Sequence, residues 1–138
     1  MMTTLISGMI ATSLLTGLGL LHVYWAAGGK FGAAVAIPET NGRAAFVPGT
    51  LATLAVALAL LVAAGIVMGK SGGLKPTWIF RWGTWGLAAV FLLRAIGEFR
   101  LVGFFKSLRN TRFAWWDTRL FSPLCLLLCV LLIVVAGS

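Results

Sequence analysis

Four runs of apolar residues, each close to bilayer length, constrain this chain more than any other feature. They cover residues 5–25, 49–69, 78–97 and 121–137, and each holds few or no charges. A helix needs roughly 20 residues to cross a hydrocarbon core about 30 Å thick. In lipid only helices and closed barrels satisfy every backbone N–H and C=O, and none of the runs alternates apolar with polar residues as a barrel strand does. The expected fold is therefore all-α, an integral membrane four-helix bundle. Spans and connections use up residues 1–138 as a single transmembrane domain. A hydrophobic share of 60%, a charged share of 10% and a mean hydropathy of +1.02 place the chain outside the soluble globular range. The first run lacks the basic leader of a signal peptide and exceeds the usual length of its apolar part, so it is expected to stay as a helix.

Local chemistry marks the boundaries. Pro48 and Pro123 lie at or beside helix starts, where a missing N–H costs nothing. Gly69, Gly72 and Gly73 stop the second run, and Trp78, Trp82 and Trp85 open the third as part of an aromatic belt. That turn is short, which predicts an antiparallel hairpin of the second and third spans.

The formal charge of +8 would point to nucleic acid in a soluble protein. Beside hydrophobic spans it reads instead as orientation and as contact with anionic membrane lipids, with no nucleic-acid partner. Four spans put both termini and the second connection on one side, with Lys70, Lys75 and Arg81. The first and third connections share the other side, with Lys30, Arg43, Arg100, Lys106, Arg109, Arg112, Arg119 and, just inside the boundary, Arg94. The positive-inside rule makes this second side cytoplasmic and both termini extracytoplasmic.

The three acids, Glu39, Glu98 and Asp117, and the one histidine, His22, fall at the same end. Arg94 and Glu98 stand at i,i+4, within pairing distance if the helix continues. One reading is that they mark the helix end by pairing, or that Arg94 reaches headgroup phosphate. The other is a polar ligand-binding pocket at the mouth of the bundle, lined by His22, Tyr24, Arg94, Glu98, Arg100, Asp117 and Arg119, because ionisable groups at membrane depth are commonly functional. Residues 100–119 form a basic interfacial segment. Within it 104–116 can be drawn as an amphipathic helix, with Lys106, Arg109 and Arg112 facing lipid headgroups and Phe104, Phe105, Leu108, Trp115 and Trp116 facing apolar surface.

Other chemistry is thin. Cys125 and Cys129, at i,i+4 on the fourth span, suit packing, since a helix holds them apart for a disulfide and no histidine joins them for a metal. One histidine cannot supply the paired axial ligands of a di-haem bundle, and no C-x-x-C is present, so no cofactor and no metal are expected. Small residues repeat at four-residue spacing: Ala55, Ala59 and Ala63, then Gly65 and Gly69, and Ser13 with Gly17. Such stripes serve packing within one chain or a homo-oligomer.

The blocks "LHVYWAAGGKFG" (21–32), "RAIGEFRLVGFFK" (94–106) and "TRFAWWDTRLFSPLCLLL" (111–128), in this order among four spans, resemble a family of small bacterial membrane proteins known as a domain of unknown function. The resemblance implies four spans, a bacterial origin and hence the plasma (inner) membrane; it implies no activity or cofactor. Three functions fit the residues: a site for a small amphiphilic or phosphate-bearing ligand or lipid headgroup, a homo-oligomeric transporter or channel subunit, and a structural or accessory membrane protein. Against transport, the interiors of the second and fourth spans carry no ionisable residue.

Overall fold

A computed structural model describes residues 1–138. Where lipid offers no hydrogen bonds, each apolar run closes its own backbone, and four long helices result. They are α1 (Met2–Ala26), α3 (Thr50–Ser71), α4 (Thr77–Ile96) and a final helix over Arg112–Gly137. Their most apolar windows have mean hydropathies of 1.7, 2.7, 1.3 and 2.8, and the lowest belongs to α4, which carries Arg81 and Arg94. The four pack together as a bundle, as expected.

The core lies where small side chains let helices approach. Ala11 and Leu15 of α1, Ala63, Ala64 and Val67 of α3, Ala88 and Phe91 of α4, and Leu128, Cys129, Leu132 and Val135 of the last helix form one buried cluster. Helix α1 lies along α3, α4 lies along the last helix, and α1 also touches the last helix. Of the small-residue stripes, Ala63 is buried and Gly69 receives the Phe80 ring, whereas Gly17 and Gly65 face open space and Ala55 and Ala59 are exposed. Only 26 of 138 residues are buried, and most large apolar side chains point outward. In water that surface would aggregate; in a bilayer it is the solvated face.

The last helix differs from expectation. It starts at Arg112 because Thr111 caps it, the Thr111 Oγ1 accepting the Ala114 N–H at 3.0 Å. Its parts are α5 (Arg112–Trp116), a π-helical turn (Asp117–Phe121) and α6 (Ser122–Gly137). The amphipathic helix expected over 104–116 does not form: residues 97–111 are an ordered loop without regular structure, and helix begins only at Arg112.

That loop folds back over the end of α4. Gly97 at φ 87° stops the helix, Phe99 takes a left-handed φ of 69°, and Gly103 at φ 90° turns the chain under the helix end. The Phe104 N–H then donates to the Ala95 carbonyl at 2.8 Å, satisfying a terminal acceptor of α4. Gly97 and Gly103 touch backbone to backbone; a Cβ on Gly97 would collide with the Val102 carbonyl, and one on Gly103 with that of Ile96.

The first connection holds a short helix α2 (Ala33–Ala36), resting on α5, and a two-stranded hairpin, β1 (Glu39–Thr40) with β2 (Arg43–Ala44). Asn41 and Gly42, both at positive φ, make the two-residue turn that pairs Thr40 with Arg43.

Replacing Gly97 or Gly103 with alanine imposes both the positive-φ strain, about 1–3 kcal/mol, and a backbone collision, so each variant should unfold at clearly lower temperature in detergent. Gly17→Ala, in open space on a helix, should match or exceed the wild type; equal behaviour of all three would refute this account of the turn.

Candidate functional site

The loop end of the bundle is organised around one buried carboxylate. Asp117 is fully buried, and both its oxygens are occupied. Oδ1 accepts from Arg94 Nη2 at 3.0 Å; Oδ2 accepts from Lys106 Nζ at 3.0 Å and from the Gly103 N–H at 2.8 Å. Lys106 is 1% exposed, and its ammonium also donates to the Gly103 carbonyl at 2.9 Å and to Thr118 Oγ1 at 2.6 Å. All three ammonium protons are thereby used, which is what a buried cation requires. Lys106, expected to face headgroups, is instead turned into the protein, because the loop that replaces the amphipathic helix carries it under α4.

Arg94 comes from the last turn of α4, where its charge also favours the helix C-terminus. It does not pair with Glu98. The helix ends at Ile96, so the i,i+4 geometry no longer exists by residue 98, and the Glu98 carboxylate instead accepts the Leu101 N–H within its own loop. The arginine's partner lies 23 residues further along the chain. Its second terminal nitrogen, Nη1, is buried and has no hydrogen-bond partner.

The other predicted residues make no hydrogen bond or ion pair with this cluster. His22 Nδ1 is 2.7 Å from the Leu18 carbonyl, so Nδ1 carries the proton, and the ring stands edge-on to Trp25 at 5.0 Å. The Tyr24 hydroxyl accepts the Phe31 N–H at 3.3 Å, and Trp25 Nε1 donates to the Phe31 carbonyl at 2.7 Å; together they tether the first connection. Arg119 lies 4.4 Å from the centre of the Trp115 ring, a cation–π contact. Arg100, Arg109 and Arg112 are exposed, and Arg109 Nη2 donates to the Phe104 carbonyl at 3.0 Å. Among the seven residues of the expected pocket, the structure thus brings Arg94 and Asp117 together.

Sequence reasoning missed Lys106 and Gly103 as partners of Asp117. A signal was present: a lone acid one helical turn ahead of an uncharged apolar run must find a cation, and Lys106 lies eleven residues upstream. Two clefts lie at the opposite end of the bundle. One of about 310 Å³ is lined by Thr4, Lys70, Ser71 and Ser138 among others, and one of about 180 Å³ by Gly8, Thr12, Ser13 and Ser71 with two methionines.

A model of the family described as "Protein of unknown function (DUF3995)" matches residues 15–132, most of the chain, and the chain belongs to that family. No curated protein and no solved structure matches.

Asp117→Ala leaves two cations facing each other without their carboxylate, and is expected to destabilise the protein by about 3–5 kcal/mol, read as a fall in unfolding temperature in detergent. The double variant Lys106→Met with Asp117→Leu removes the buried pair together and should cost less than the sum of its parts. Strict additivity would mean that the two groups do not interact.

Proposed function

We propose that this member of the family is a multi-pass membrane protein that binds an anionic, phosphate-bearing headgroup on the basic end of its bundle, and that this end faces the cytoplasm of a bacterial cell. The observation that carries the reading is an imbalance of charge. Asp117 neutralises one of its two cations, Glu98 is engaged in its own loop, and Arg100, Arg109, Arg112 and Arg119 stand exposed at the same end without an acidic partner. Each exposed cation near an anionic leaflet contributes about 1 kcal/mol of attraction. Guanidinium groups add a planar fork of donors that matches phosphate. Trp115 and Trp116, half exposed beside Arg112 and Arg119, suit the interfacial layer in which such headgroups lie. The orientation rests on the positive-inside rule, since eight of the eleven Lys and Arg residues belong to this end.

A structural or accessory role is a second reading. The closed Arg94–Asp117–Lys106 latch favours it, for its carboxylate and its ammonium are fully used by the fold itself.

Native mass spectrometry of protein released gently from membranes tests the headgroup reading. An anionic phospholipid should be retained by the wild type and largely lost from a variant carrying Arg100→Gln, Arg112→Gln and Arg119→Gln. Retention unchanged in that variant, or no bound lipid in either protein, would favour the structural reading. For orientation, a cysteine at Ser107 should react with a membrane-impermeant maleimide only after cells are opened; labelling of intact cells would reverse the topology.

A further inference from the structure

The third connection carries a surface that suits lipid better than water. Leu101, Val102, Gly103, Phe104 and Phe105 are apolar residues in succession outside any helix. Phe99 and Phe105 are each 63% exposed, and Leu108 is exposed as well. The one charge between Leu101 and Leu108 is Lys106, and the latch holds it inside. The outward side of that stretch is therefore uncharged. Phe99 also takes its left-handed φ of 69° with the ring turned outward, a costly backbone for a bulky side chain that lies mostly outside the protein's own packing.

Irregular backbone is tolerated at membrane depth only where its polar groups are met within the protein. This loop meets much of its own. The Gly97 N–H donates to the Leu93 carbonyl at 2.8 Å, that of Leu101 to the Glu98 carboxylate and that of Gly103 to Asp117 at 2.8 Å. The Phe104 and Phe105 N–H groups reach the Ala95 and Ile96 carbonyls at 2.8 and 3.5 Å. Further on, the Ser107 N–H donates to the Phe99 carbonyl at 3.1 Å and the Leu108 N–H to that of Arg100 at 2.9 Å, so the two exposed parts of the loop are held side by side. Arg100 and Arg109 stand exposed next to Phe99 and Leu108.

We propose that the third connection lies within the membrane rather than above it, Phe99 and Phe105 inserting among the acyl chains of the leaflet at the basic end while Arg100 and Arg109 stay at phosphate depth. The occupant of this apolar surface is lipid because the surface continues that of the span. Leu92 and Leu93, exposed on the last turns of α4, lead into it within a few residues, and the cations beside it match an anionic leaflet. The latch then has a part beyond closing the bundle. An unpaired Lys106 carried toward hydrocarbon would be expensive, and its pairing with Asp117 removes that cost. The inference goes beyond headgroup binding, since it needs only that the bundle sits in a bilayer.

The test attaches nitroxide labels to Phe99→Cys and Phe105→Cys, with Leu127→Cys on α6 as the lipid reference and Arg43→Cys in the hairpin as the water reference, all in a protein carrying Cys125→Ala and Cys129→Ala. All four labelled side chains are exposed, so the labels displace little packing. Each protein is reconstituted in phosphatidylcholine bilayers, without and with phosphatidylglycerol. Power saturation of the electron paramagnetic resonance signal then compares access of oxygen, which concentrates among acyl chains, with access of a water-soluble nickel chelate. The oxygen-to-nickel ratio at positions 99 and 105 should be severalfold above that at 43 and approach that at 127. High ratios in both bilayers would support insertion whichever headgroup is present; high ratios only with phosphatidylglycerol would support insertion drawn by the anionic headgroup. Ratios at 99 and 105 equal to that at 43 in both bilayers would overturn the insertion, leave headgroup binding to its own test and free the apolar surface for a partner protein.

Two further variants of the Phe105→Cys protein read the part played by the latch. Asp117→Asn strips Lys106 of its counter-charge and should lower the ratio at 105 toward the water value, with the label at 127 reporting an intact bundle. Lys106→Met removes the charge itself and should keep the ratio high. A ratio that falls with Lys106→Met, or stays high with Asp117→Asn, would overturn the role given to the buried pair.

Discussion

A single carboxylate at the end of a helix bundle determines how this chain closes. Asp117 draws an arginine from α4, a lysine from the third connection and a backbone N–H from the turn between them. Taking Asp117 and Lys106 fully out of water, and Arg94 in part, is expensive, and their mutual attraction offsets the cost only when geometry is good and every remaining donor and acceptor is met. For Asp117 and Lys106 that condition holds fully. The loop is therefore defined by the cluster as much as by its own backbone: Gly103 gives its N–H to Asp117 and its carbonyl to Lys106, and a turn that exposed either group would leave a buried charge with one partner fewer.

The close approach of Gly97 and Gly103 makes the cluster geometrically possible. With no Cβ at either position, the returning strand can run directly beneath the end of α4, and the Phe104 N–H reaches the Ala95 carbonyl. Helix termination and ion pairing are thus one event. Gly97 ends α4 before Glu98 can join the Arg94 face, which frees Arg94 for the long-range partner. The same return path brings Lys106 inside.

How much of this was legible in the sequence follows from the range of each interaction. The four spans were legible because the bilayer acts on every residue of a run independently, so about 20 apolar residues in succession suffice. The cap at Thr111 is also local, yet Lys106, Arg109 and Arg112 at three-residue spacing imitate a helical face on either side of it and mask it. The Arg94–Asp117 pair could be anticipated only as membership of one end of the bundle. Its exact partners depended on a backbone path set by three positive-φ residues, Gly97, Phe99 and Gly103, and no periodicity reports that path. The pairing of Arg94 with Glu98 failed for the same reason, since i,i+4 reasoning presumes that the helix continues.

The π-helical turn shows how the end of the last helix reconciles two demands. In an uninterrupted α-helix, residues five apart sit about 140° apart around the axis. Asp117 and Ser122 are nonetheless both fully buried, as are Phe113 and Ala114 one turn earlier. The i→i+5 turn over Asp117–Phe121 absorbs the difference, so that α5 and α6 each keep a buried face while the carboxylate points toward α4. Had the helix stayed regular with α6 fixed in the core, Asp117 would swing out of the seam and lose Arg94 and Lys106 together. The more stable arrangement accepts one irregular turn, closed by the Ser122 N–H on the Asp117 carbonyl, to keep an ion cluster intact.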